Sequence, residues 1–181
     1  MTAGACRYDL DAELRIQAVD DAWSEFAAAN EAPELVTPGP LGRPLFDYIQ
    51  DATTVHLYRA LFERVRGTGR PIELPFRCDS PGLRRFLEME IRPGPSAGLE
   101  LHTRVLHLEP RAPTALLERG SRRSSDLLRM CSWCKAVEAR DQWCEVEQAV
   151  VALRLFEREL LPMVTHGICP PCYLRVVALL G

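Results

Sequence analysis

Apolar and polar positions alternate with a period of two in three stretches of the first half of the chain. Ile72, Leu74 and Phe76 interleave with Glu73, Pro75 and Arg77, and Leu87, Met89 and Ile91 with Glu88, Glu90 and Arg92. Residues 99–108 continue the pattern, with a phase change near Val105 and Leu106 that predicts a bulge. Alternation of this kind predicts antiparallel strands with one buried face, the first two joined by a turn at Asp79-Ser-Pro-Gly82. Upstream the period lengthens to that of a helix. Thr54, Leu57, Tyr58, Leu61, Phe62 and Val65 form one stripe of a helix predicted over residues 53–66, stopped by Gly67-Thr-Gly-Arg-Pro71.

Nearer the N-terminus, residues 8–16 read as a strand with a turn at Asp11-Ala-Glu13. Asp20-Asp-Ala-Trp23 reads as a capped entry into a short helix over residues 23–30. A Pro/Gly-rich passage over residues 37–44 leads to a helical turn at 45–49. After residue 108 the pattern lapses into Glu109-Pro-Arg-Ala-Pro-Thr114 and the charged run over residues 118–125, with room for a helical turn at 114–119. The chain therefore divides into residues 1–111, a linker over 112–125, and a C-terminal unit over 126–181. In that unit Val146, Ala149, Val150, Leu153, Phe156 and Leu160 predict a helix over residues 143–161. The apolar run 173–180 predicts a closing helix that docks on the sheet or on a second copy, with burial within the monomer as the plainer role.

Of the 181 residues 47% are hydrophobic, enough for a substantial core. The 22 basic and 25 acidic residues give a formal charge of -3, which weighs against nucleic acid and anionic membranes as partners. No stretch approaches the roughly 20 apolar residues of a bilayer span, and the first residues lack a leader's apolar segment, so a cytoplasmic location is expected.

The sharpest chemical signal is a doubled Cys-x-x-Cys pattern. Cys131-Ser-Trp-Cys134 and Cys169-Pro-Pro-Cys172 are separated by residues 135–168, with His166 just before the second pair. Two such pairs can grip one tetrahedral ion, which points to structural zinc held by Cys131, Cys134, Cys169 and Cys172. His166 is then an outer partner of the thiolates or an alternative ligand replacing one of them. The spacer is long for a zinc ribbon, but a helix folding back can close it. Free or disulfide-bonded cysteines, an iron-sulfur cluster and a thiol redox switch that releases the ion are the competing readings. Cys6, Cys78 and Cys144 are left over and read as small packed thiols.

Leu10-Asp-Ala-Glu-Leu-Arg-Ile16, Asp20-Asp-Ala-Trp23, Leu41-Gly-Arg-Pro-Leu-Phe-Asp-Tyr48 and Phe76-Arg-Cys-Asp-Ser-Pro81, in the predicted element order, resemble the PAS sensor family over roughly residues 8–111. The resemblance implies an α+β fold: a five-stranded antiparallel sheet with helices over one face, enclosing a small apolar cavity. The C-terminal unit, with Cys131-Ser-Trp-Cys-Lys135 and His166-Gly-Ile-Cys-Pro-Pro-Cys172, is similar to a cysteine-rich tail found beside some bacterial PAS sensors and reads as a small helical zinc-knuckle module.

Trp23, Phe46, Tyr58, Phe62, Phe76 and Phe86 are candidates to line a cavity for a small-molecule cue, with core packing as the plainer role. Heme ligation by His56 is disfavoured, because helical spacing puts it opposite the apolar stripe. His102 and His107 read as packing or surface residues, and a flavin-reactive Asn-Cys-Arg-Phe-type segment is missing. Arg77, Asp79 and Arg85 gather about one turn, where they could bind an anion, dock the cysteine-rich tail or simply pair in solvent. No catalytic triad, phosphate loop or paired-carboxylate motif stands out. The expectation is a non-enzymatic signalling protein acting through protein contact, with possible homodimerisation. A heme or flavin sensor, and a zinc-dependent DNA-binding regulator using Arg119, Arg122, Arg123 and Arg129, are the alternatives.

Overall fold

The computed structural model describes residues 6–30, 32–49 and 51–181; the first five residues, included in the reading of the N-terminus, lie outside the described residues. Strands β1 (Cys6–Leu10), β2 (Ile16–Val19), β3 (Ile72–Arg77), β4 (Leu83–Pro93) and β5 (Leu99–Pro110) form an antiparallel sheet in the order β2-β1-β5-β4-β3. The stretch 8–16 is divided at its expected turn between β1, which ends at Leu10, and β2, which starts at Ile16. Leu14 takes a left-handed backbone (φ 63°), and the Asp11 carboxylate accepts from the Arg15 N–H and the Gln17 amide, closing the reversal.

Helix α1 (Asp21–Ala29) starts two residues before the expected Trp23, with Asp20 accepting from the Trp23 N–H at 2.8 Å. Helix α2 (Ala52–Thr68) is capped by Asp51, which accepts from the Thr54 N–H at 2.7 Å, and ends at Gly69 in the left-handed conformation. Its stripe is buried as expected. Leu57, Leu61, Phe62 and Val65 share one core with Leu74, Met89, Ile91 and Leu101 of the sheet. Each such side chain contributes roughly 1.5–3 kcal/mol through burial. The bulge is also present: Phe86 lies opposite His107 and Leu87 opposite Val105, leaving Leu106 unmatched and exposed.

The C-terminal unit differs from its expected helical form. Strands β6 (Arg123–Cys131), β7 (Val137–Ala139), β8 (Gln142–Cys144) and β9 (Leu161–Gly167) make a second sheet in the order β8-β7-β6-β9, with β6 and β9 parallel. The helix predicted over 143–161 shrinks to α3 (Val146–Ala152). Its start is displaced because 142–144 pair with β7, and Glu145 forms a capping box with Gln148. Its end comes early because Arg154 turns left-handed (φ 52°) and a 3-10 turn at Leu155–Glu157 buries Leu155, leaving Phe156 67% exposed.

The connector is structured too. A 3-10 turn at Ala115–Leu117 buries Leu116 in a second core with Leu128, Met130, Val137, Val146 and Ala149. Helix α4 (Pro170–Leu180) packs against α2, and its Val176 is buried in the core that α2 shares with the first sheet. Among the described residues no helix is long and apolar enough to cross a membrane.

Candidate metal centre

Parallel pairing of β6 and β9 brings the two cysteine pairs together. Cys131, the last residue of β6, lies opposite Gly167, the last of β9, so both knuckles leave the same end of neighbouring strands. The first knuckle turns the chain from β6 into β7. The Lys135 N–H donates to the Cys131 carbonyl at 3.1 Å and the Cys131 N–H to the Ala136 carbonyl at 2.7 Å, while Lys135 takes a left-handed backbone (φ 61°).

The second knuckle is the first turn of α4. Cys169 is the N-cap, Pro170 and Pro171 occupy positions that need no N–H donor, and the Tyr173 N–H donates back to the Cys169 carbonyl at 3.0 Å. The positive end of α4 thus faces sulfur, which favours thiolate.

The four sulfurs lie within 4.8 Å of one another, with Cys134 Sγ and Cys169 Sγ 3.6 Å apart. Four thiolates at zinc's Zn–S distance of about 2.3 Å stand about 3.8 Å apart in a tetrahedron, so this donor set can hold such a cation with little adjustment. Cys131 Sγ also accepts backbone N–H groups from Cys134 and Cys169, each at 3.5 Å. With protons in place of a cation the thiols share charge unevenly. Hydrogen bonds from the Cys134 and Cys172 thiols hold Cys131 far below the ordinary thiol range, and the bond to Cys131 pushes Cys134 up to about 12. A bound cation would remove that conflict by favouring the thiolate form of all four.

His166 stays outside the quartet. It lies on β9 with an exposed side chain, and its ring makes no hydrogen bond to any of the four sulfurs. Partial desolvation, then the Lys135 charge, lower its pKa, against an opposing pull from Asp51.

The residues between the first pair of thiols were not singled out by sequence reasoning, yet they tie the centre to the first unit. Trp133 is 3% exposed, stacks on Tyr58 with centroids 5.2 Å apart, and joins the core of α2 and the first sheet. Its carbonyl accepts from the Arg77 N–H at 2.7 Å, and Ser132 Oγ lies 3.1 Å from Thr54 Oγ1. Thr54, a hydroxyl inside an apolar stripe, is the signal that pointed this way.

A charged seam adds to this join. Arg77, 7% exposed, pairs with Asp79 beside it and with both oxygens of Glu145, the N-cap of α3. Arg111 reaches both Asp79 and Glu147. Of the expected Arg77, Asp79 and Arg85 cluster, the first two therefore dock the cysteine-rich unit and Arg85 stands apart.

The six aromatic candidates fall into separate contacts. Phe62 stacks on Phe46 and meets Tyr58 at a tilt, Tyr58 in turn stacks on Trp133, Trp23 meets Tyr8 edge-on, and Phe86 lies against His107, while Phe76 packs on the core. His56 is exposed, and His102 lies 3.3 Å from Glu100. Cys6, Cys78 and Cys144 remain half-buried thiols.

No family model matches this chain. No curated protein matches it either. Among solved structures, a crystal structure of a C-terminal domain from Streptococcus mutans is similar at a TM-score of 0.40 and 15% identity, over 56% of this chain and 75% of that one. A similarity that low does not place the two chains in one fold.

Proposed function

We propose that this chain is a non-enzymatic, cytoplasmic signalling protein in which a PAS-like sensing unit shares its core with a structural zinc centre and relays a ligand or redox cue through protein contact. The observation that carries the reading is the double role of the first knuckle: Cys131 and Cys134 belong to the sulfur quartet, while Ser132 and Trp133 between them pack into the first unit. The all-antiparallel five-stranded sheet with α2 across one face supports the PAS-like part. Four protein thiolates complete a tetrahedron and leave no position for substrate or water, which favours a structural over a catalytic ion.

In this reading zinc supplies on the order of 10 kcal/mol to the order of the C-terminal unit. A cue that repacks α2 or strips the thiolates would shift the population in which Trp133 is seated. The Arg77 amide, bonded to the Trp133 carbonyl, reports this seating. Hydrogen exchange on zinc-loaded and peroxide-treated protein is the test, with metal content followed in parallel. The relay predicts faster exchange at Arg77 and along residues 54–58 once zinc is lost. Unchanged exchange there in zinc-depleted protein rejects it.

A further inference from the structure

We propose that a cleft between α1, the β3–β4 turn and the connector binds a small amphipathic carboxylate, with Arg85 as the residue that receives its anionic group. The cleft has a volume of about 790 Å³, within the range of roughly 300–1,000 Å³ typical of small-molecule sites. It lies apart from the aromatic cluster considered in the sequence, sharing only Trp23 with it. The site depends on neither the PAS-like reading nor the zinc.

Its walls are apolar and firm. Trp23 is pinned by its indole N–H, which donates to the Leu35 carbonyl at 2.8 Å, and Phe26 and Ala27 extend the α1 side. Leu117 of the connector also lines the cleft. The small Ala27 and Ala29 side chains help to keep the wall concave.

The charges decide the ligand. Arg84 is consumed by Glu109 and Glu147. Asp79, although it borders the cleft, is 1% exposed and committed to Arg77 and Arg111. Arg119 at the rim faces Glu34 at 3.8 Å. Arg85, half-buried, donates to the Cys78 carbonyl at 3.2 Å and lies over the Phe26 ring at 5.4 Å, with no carboxylate within 4.0 Å among the described residues.

A guanidinium with donors to spare beside apolar walls suits a planar carboxylate, which it can engage through two parallel hydrogen bonds. One such cation, with Glu118 also lining the cleft, matches a single negative charge better than a phosphate dianion. The remaining walls then favour an aromatic or aliphatic body.

The test uses zinc-loaded full-length protein, titrated by calorimetry and ligand-detected NMR with 1-naphthaleneacetate and octanoate, each against its primary amide. Saturable binding of at least one acid is expected, about tenfold or more tighter than its amide. Arg85→Gln should remove that preference while zinc content and melting temperature stay unchanged. Ala29→Leu, an exposed position on the cleft wall, should weaken acid and amide alike. Should Arg85→Gln fail to fold, the acid-to-amide ratio of wild type and the Ala29→Leu variant still decide. Absence of saturable acid binding, equal binding of acid and amide, or binding unaffected by both substitutions overturns the proposal.

Discussion

Replacing Trp133 by alanine should cost the protein much of its stability without emptying the metal centre. The side chain is 3% exposed, and a buried indole removes roughly 150–250 Å² from water, which at about 25 cal/mol per Å² amounts to about 4–6 kcal/mol. Large-to-small substitutions of this type cost about 3–5 kcal/mol, and the stacked Tyr58 ring loses a partner as well. At about 3 °C per kcal/mol for a chain of this size, a loss of 4 kcal/mol lowers the melting temperature by about 12 °C. Trp133 Nε1 is buried without a hydrogen-bond partner among the described residues, so Trp133→Phe removes an uncompensated donor and should recover most of the loss. Calorimetric melting of the three proteins, with zinc measured on each, checks this. A loss below about 1 kcal/mol for Trp133→Ala would refute the shared core, because a solvent-facing indole behaves that way.

Cys172→Ser should weaken retention of zinc more than about 100-fold in competition with a chelator, since removing a ligand exceeds the effect of altering an outer partner. Burial pushes the Glu147 carboxyl up, but its own backbone N–H, hydrogen bonding to Arg84, and the Arg84 and Arg111 charges outweigh this and hold it below the usual range. Its stabilisation is therefore present above the unfolded carboxyl pKa and lost as the pH falls through the lower folded value. Glu147→Gln should accordingly destabilise at neutral pH by about 1 kcal/mol or less, and in acid denaturation profiles the difference from wild type should shrink below the unfolded value of about 4.3 and vanish only below the lower folded one. Arg154→Gly should raise stability by up to about 1 kcal/mol in urea titrations, since glycine adopts a φ of 52° freely and the Glu157 pair it gives up is exposed.

Features governed by neighbours in the chain were legible. The α2 stripe, the Asp20 cap, the alternation in β3 and β4 and the bulge at Leu106 all follow from local periodicity and are all present. The cysteine pairs were legible for the same reason, because two ligands three residues apart fit one turn of backbone. What escaped depends on distant partners. Residues 146–160 carry a helical period, yet β7 claims 142–144 and Arg154 reverses the backbone without a glycine or proline to announce it. Strand β9 earns its place only by lying parallel to β6. His166, placed near the metal by its position in the sequence, falls on β9 and outside the quartet. The Arg85 cleft draws on α1, a turn and the connector, so no single segment bears its signature.

Metal analysis of protein purified without added chelator tests the central claim most directly. Four converging thiolates predict one zinc per chain, displaced in step with oxidation or alkylation of Cys131, Cys134, Cys169 and Cys172. A metal-free preparation with four reactive thiols and an undiminished melting temperature would contradict it.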